Sequence, residues 1–187
     1  NDRQNNLGLE NANAIWELSM DYKHEKARFS TNFIVDEFVL DKSQIESGKT
    51  NSIGGAFRFS TNPFSNFPTI ISYLNYVALG TYIYKHSNSF NNFIQRGKPL
   101  GWYNGNDCQQ LDFGLIKGSS GLYISKIEYS IIKVGENSII FTPYASNENL
   151  NKLKKFPSGD VEITKILSFD FQYMFANNIS FSTKLSG

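Results

Sequence analysis

Between residues 161 and 175 the chain places Val161, Ile163, Leu167, Phe169, Phe171, Tyr173 and Phe175 at odd positions and Glu162, Thr164, Ser168, Asp170 and Gln172 at even ones. Lys165 is the single charge on the apolar row. Successive side chains of an extended strand point to opposite faces, so a period of two writes one greasy face and one polar face into the backbone. The same rhythm recurs elsewhere. Trp16, Leu18, Met20 and Tyr22 stand against Glu17, Ser19 and Asp21. Phe29, Phe33, Val35 and Val39 stand against Arg28, Ser30, Asn32 and Asp36. Phe57 and Phe59 oppose Arg58 and Ser60 within 53–61, and Ile179, Phe181 and Leu185 oppose Ser180, Ser182 and Lys184. Segments 69–84, 110–117 and 121–133 complete a set of eight strands. The spacing in 124–134 also admits an amphipathic helix, but its Tyr, Ile and Val content favours a strand. The chain is rich in Phe and Tyr, 16 and 10 of them, which again suits strands.

The connections alternate in length. They run short (23–26), long (41–52), short (62–68), long (85–109), short (118–121), long (134–160), short (176–178). Outer-membrane barrels join their strands by short turns at one rim and long loops at the other, and strands of ~9–11 residues span the bilayer. The expectation is therefore an all-β fold, an antiparallel up-and-down transmembrane β-barrel, with residues 1–187 forming one partial barrel domain. If the short turns are periplasmic, the first strand runs inward and the eighth outward, so further strands are expected on both sides and the chain is read as a fragment of a larger barrel. The beginning at Asn1, with no apolar leader, is likewise read as processed or cut from something longer. A soluble β-sandwich or lectin domain is the competing reading, because a half-buried antiparallel sheet has the same alternation. It requires a packed core on the greasy rows. No fixed-period repeat points to a propeller or solenoid, and no run of ~20 apolar residues suggests a membrane helix.

Several function classes find no footing. A net charge of +1 offers no basic footprint, so nucleic acid is not an expected partner. Cys108 is the single cysteine and the two histidines are His24 and His86, so neither a thiolate cluster nor an internal disulfide can be assembled. Phosphate-loop and nucleophile-elbow motifs are absent. Asp36 and Glu37 form an adjacent carboxylate pair, but strand neighbours face opposite ways and cannot flank one glycosidic bond. The chain is read as non-enzymatic, with no metal and no cofactor. Asp36, Arg28 and Arg58 are expected to line a polar lumen, and the lysines at 152, 154 and 155 to be solvated.

The run Arg96-Gly97-Lys98-Pro99-Leu100-Gly101-Trp102-Tyr103-Asn104-Gly105-Asn106-Asp107 resembles a signature of the Wzi-type capsule-assembly proteins. The Asn-rich opening 1–6 and the strand end 33–38 are similar to features of the same family, so the likeness extends over nearly the whole chain and matches the C-terminal part of a family barrel. Cys108 and Gln109 depart from the small and acidic residues usual there, and the end Lys184-Leu185-Ser186-Gly187 lacks the terminal aromatic typical of barrel proteins. The resemblance implies a barrel in the bacterial outer membrane that holds or organises surface polysaccharide, with that polysaccharide and outer-membrane lipid as partners. Trp102 and Tyr103 offer flat faces on which sugar rings stack. Arg96, Lys98, Asn104 and Asp107 (with Asn106) supply hydrogen bonds and, at Arg96, bidentate contact to acidic sugars. Gly97, Gly101 and Gly105 release the backbone, Pro99 stiffens it and Leu100 completes the motif. The competing reading makes Trp102 and Tyr103 members of an interfacial aromatic girdle, and it is the favoured one. A porin-like transport barrel is the second membrane reading.

Overall fold

The computed structural model describes residues 15–37, 42–43, 51–64, 66–86, 92–119, 122–144, 156–176 and 179–187. The Asn-rich opening, the lysine run at 152–155 and the turn residues at 120–121 and 177–178 lie outside that set. The described fold is all-β. Its strands are β1 (Trp16–His24), β2 (Ala27–Glu37), β3 (Ser52–Thr61), β4 (Ile70–Leu79), β5 (Ile94–Gln95), β6 (Lys98–Pro99), β7 (Cys108–Ser119), β8 (Tyr123–Val134), β9 (Glu162–Ala176) and β10 (Ile179–Ser186). Eight of them form one sheet in the order β1-β2-β3-β4-β7-β8-β9-β10, and each pairs antiparallel with the next. The sheet is open, with β1 and β10 as its edges. No helix among the described residues is long and apolar enough to cross a membrane.

Three local expectations change. The strand read over 69–84 ends at Leu79, and 81–84 form a turn in which Tyr84 adopts φ +70°. Gly80 makes the exit possible: its N–H donates to the Ile53 carbonyl at 3.0 Å, and a Cβ there would stand 2.6 Å from that oxygen. The helical alternative for 124–134 fails, because every residue from Tyr123 to Val134 pairs with both β7 and β9. The loop expected over 85–109 contains the small hairpin β5–β6.

Register carries each face across the sheet, with shifts only at two strand ends, between Val35 and Glu37 and between Ile179 and Ser180. One row reads Tyr22, Phe29, Phe59, Leu74, Phe113, Tyr129, Leu167 from β1 to β9, every residue opposite the next. Immediately behind it runs Asp21, Ser30, Arg58, Asn75, Asp112, Ser130, Ile166. At about 4.8 Å between strands the first row is ~30 Å wide. It is also bare: Tyr22 is 59% exposed, Phe113 54% and Leu167 54%. None of the strand pairs in extensive contact lies face to face; all are hydrogen-bonded neighbours. An apolar surface of that extent is far larger than soluble monomers leave uncovered.

The polar face is internally organised. Tyr73 lies over Gly114, where a Cβ would meet the ring at 2.3 Å, and its hydroxyl donates to the Glu128 carboxylate. Lys126 Nζ reaches Glu128 at 3.0 Å, and the Arg58 guanidinium sits 4.8 Å above the Tyr73 ring. Arg28 bonds Asp21 through Nε and Nη2 at 2.9 and 2.7 Å. Toward the long-loop end this face turns apolar, through Ile34, Ala56, Val77, Leu79, Cys108 and Val134. There it meets Ile83, Tyr84, Phe93, Trp102 and Ile139 from the loops. The one compact core of the described fold is this cap.

Candidate functional site

The motif at 96–107 begins as a hairpin tip. Ile94 pairs with Pro99 and Gln95 with Lys98, and the two residues between, Arg96 and Gly97, adopt φ +51° and +72°. Both central residues of a type I′ turn need positive φ, which is why glycine stands in the second place. Arg96 and Lys98 are exposed at this tip, and Leu100 is 50% exposed. The chain then folds back over the polar face. Leu100 N–H donates to the Phe93 carbonyl at 2.9 Å, and Tyr84 stacks on Phe93 with ring centroids 5.8 Å apart. Gly101 yields the space that the Tyr84 ring fills, since a Cβ would lie 2.4 Å from it.

Trp102 and Tyr103 separate at this point. Tyr103 is 90% exposed. Trp102 is half-buried against the cap and lines two adjoining hollows on the polar face, of about 210 and 200 Å³. Neither hollow is on the apolar face, so Trp102 does not belong to an outward-facing girdle. Asn104 is half-buried, its amide 3.4 Å from the Gln110 side chain.

Asp107, expected as a sugar contact, is fully buried among the loops. Its carboxylate accepts hydrogen bonds from Thr81 Oγ1 at 2.8 Å, the Asn137 N–H at 3.1 Å, the Ser158 N–H at 2.9 Å and Ser158 Oγ at 2.5 Å. Its own N–H donates to the Gly80 carbonyl at 3.2 Å, and its carbonyl accepts from Gly135 at 2.8 Å. One residue thus ties the exits of β4 and β8 to the entries of β7 and β9. Its φ of +51° is the backbone cost of meeting all these partners. Asn106 is buried beside it and donates to the Thr81 carbonyl. Lys85, 4% exposed, bonds the Asn137 side chain and, at 3.0 Å, the Thr142 carbonyl.

The three residues expected to line a lumen also part company. Asp36 accepts the Tyr84 N–H through Oδ2 at 2.5 Å, and so anchors the turn 81–84 at the long-loop end of β2. Arg28 sits near the opposite end of β2, paired with Asp21. Arg58 stands mid-strand on the polar face over Tyr73. Sequence reasoning missed Thr81, Lys85, Asn137 and Ser158, the polar partners of the cap. No short-range pattern marks them, because Thr81, Asn137 and Ser158 meet Asp107 across 26 to 51 residues of chain and Lys85 meets Asn137 across 52. No protein-family model, no curated protein and no solved structure matches the chain.

Two outcomes follow from this geometry. Asp107→Ala leaves buried donors of Thr81, Asn137 and Ser158 without an acceptor. It should lower the stability of the cap by about 3 kcal/mol or more, read as a fall in the urea midpoint of Trp102 fluorescence in a Trp16→Phe background. Unchanged midpoints would show that Asp107 does not hold the loops. Burial pushes the Lys85 ammonium down to about 8 from 10.5, against the pull of the Asp107 carboxylate. Between those values the folded cap binds fewer protons than the unfolded one, so its stability rises as the pH goes from 8 to 10. The same midpoint should climb over that window, and Lys85→Met should flatten the climb.

Proposed function

We propose that this chain is a wall section of a bacterial outer-membrane β-barrel that holds surface polysaccharide, with no chemistry of its own. One observation carries the membrane half of the reading: the rows of Phe, Tyr, Leu and Ile on one face of the eight strands are exposed and unlayered, while polar and charged groups are organised on the other. That is the inverse of a soluble sandwich, whose greasy rows meet a second sheet. In hydrocarbon it is the expected arrangement, with the polar face turned to the lumen. Edge strands β1 and β10 then pair with further strands, because unpaired backbone groups cost several kcal/mol each in lipid. The described parts of the longer connections gather at one rim, where the cap lies over the polar face.

For the polysaccharide half, support comes from the resemblance of residues 96–107 to the capsule-assembly family and from what stands exposed there. Arg96, Lys98 and Tyr103 present two cations and an aromatic face at the rim. A porin-like transport role draws less support, since Trp102 and its loop lie across the polar face.

Trp16, 69% exposed on the apolar face, reports on the membrane directly. In Trp102→Phe protein reconstituted into bilayers, brominated acyl chains should quench Trp16 strongly; emission indifferent to bromine would sink the assignment. Phe113→Arg in the same bilayers should cost about 2–4 kcal/mol, as arginine near the midplane of a barrel wall does. A water-facing Phe113 would tolerate the change. The polysaccharide reading is checked on cells. Replacing Arg96, Lys98 and Tyr103 together by alanine should cut retained surface polysaccharide several-fold at equal barrel levels, and full retention would refute a role for the rim.

A further inference from the structure

Arg58 is a cation without a carboxylate partner among the described residues. Arg28 has Asp21 and Lys126 has Glu128, but Arg58 meets only the Tyr73 ring. It is exposed, and it borders the hollow of about 200 Å³ whose wall also holds Ser30, Asn32, Asn75, Val77 and the Trp102 ring. The adjoining hollow shares Asn32, Val77 and Trp102 and ends at Glu17. There the Asn32 amide at 2.6 Å and the Ser19 hydroxyl at 2.8 Å hold the Glu17 carboxylate. The cleft therefore has a free cation at one end, a held anion at the other and an indole between them. Two atoms of its wall, Trp102 Nε1 and Asn75 Oδ1, have no hydrogen-bond partner among the described residues.

We infer that this cleft is a binding site for an acidic sugar unit, a hexuronate within an oligosaccharide, lying on the polar face beneath the inward-folded loop. The inference rests on the reading of the chain as a polysaccharide-holding barrel wall, and it adds a second site to the exposed tip at Arg96, Lys98 and Tyr103. A hexuronate has an apolar ring face, several hydroxyls and one carboxylate. The ring face suits the indole. Its carboxylate matches the planar fork of the Arg58 guanidinium, which binds such groups in bidentate fashion. Hydroxyls, which both donate and accept, suit Ser30, Asn32 and the Glu17 end, where a second carboxylate is repelled. Polarity along the cleft thus fixes the direction of the sugar. Trp102 Nε1 and Asn75 Oδ1 are enclosed, so the loop at 101–104 shifts as the sugar enters, and these atoms then gain hydrogen bonds that they lack among the described residues.

The full chain in detergent micelles, carrying Trp16→Phe so that Trp102 is the only indole, serves as the reporter. Trigalacturonate should change Trp102 emission saturably, and neutral maltotriose should bind at least tenfold more weakly. Arg58→Gln should abolish that preference, while Arg58→Lys should keep part of it. The alanine triple at Arg96, Lys98 and Tyr103 should leave the titration within about twofold. No response to trigalacturonate, or an undiminished response in Arg58→Gln, would overturn the inference. So would a response abolished by the triple, which would place acidic sugar at the tip alone and leave the proposed function intact. Failure of the parent reading is seen elsewhere, as Trp16 emission that bilayer bromine does not quench.

Discussion

Side-chain parity is the constraint on which everything else in this molecule rests. A strand slipped by one residue would turn its whole apolar row to the other face. Six antiparallel ladders must therefore agree before a row such as Tyr22 to Leu167 can run unbroken from β1 to β9. They do agree, and the two register shifts fall at strand ends, one between Val35 and Glu37 and one between Ile179 and Ser180. The first lies beside Asp36, whose carboxylate is needed for the Tyr84 N–H. A bulge re-aims a side chain without disturbing the rest of its strand.

Parity also explains why the core is a cap. With the outer rows bare and the polar rows hydrogen-bonded among themselves, the sheet has no apolar surface left to bury except at the long-loop end of its polar face. Ile34, Val77, Leu79 and Val134 break the alternation there, and the loops answer with Ile83, Tyr84, Ile139 and Trp102. Loops folded inward carry backbone groups that need partners. Asp107 meets much of that demand with one buried carboxylate. Gly135 is required by the same contact, because a Cβ there would come within 2.1 Å of the Asp107 carboxylate. A buried anion held by several donors is a specific joint, since few other arrangements of four chain segments satisfy it at once.

The strands were legible in the sequence because alternation is a local signal, and 161–175 or 16–22 could be read without knowing what they pair with. The end of β4 was not. Tyr82, Ile83 and Tyr84 continue the apolar, aromatic texture of the strand before them, and only the cap they fill shows that they have left the sheet. The Arg-Gly-x-Pro run was legible as a special loop, its glycine now accounted for by the turn at Arg96–Gly97. Its neighbour Asp107 read as a ligand residue because its type and company suited one. What decides its role is donors from Thr81, Asn137 and Ser158, which no reading of nearby residues brings together. Trp102 was open between girdle and ligand contact. Its half-buried place over the polar face depends on Gly101 making room for Tyr84, which is a tertiary fact.

These parts combine into a division of labour along the strand axis. At the short-turn end the polar face is a network of charge and hydroxyl, with Arg58, Tyr73, Glu128 and Lys126 bridging β3 to β8. The long-loop end is closed by apolar packing around a buried ion. Trp102 stands at the boundary, one side against the cap and the other over hollows that reach Arg58. A substitution in the cap therefore reaches the polar cleft through shared wall residues, Val77 and Trp102 above all, whereas the outer rows face away from them. The apolar and the polar face are physically separable here because alternate residues of the same strands form them, and the backbone that joins them has no freedom to exchange them.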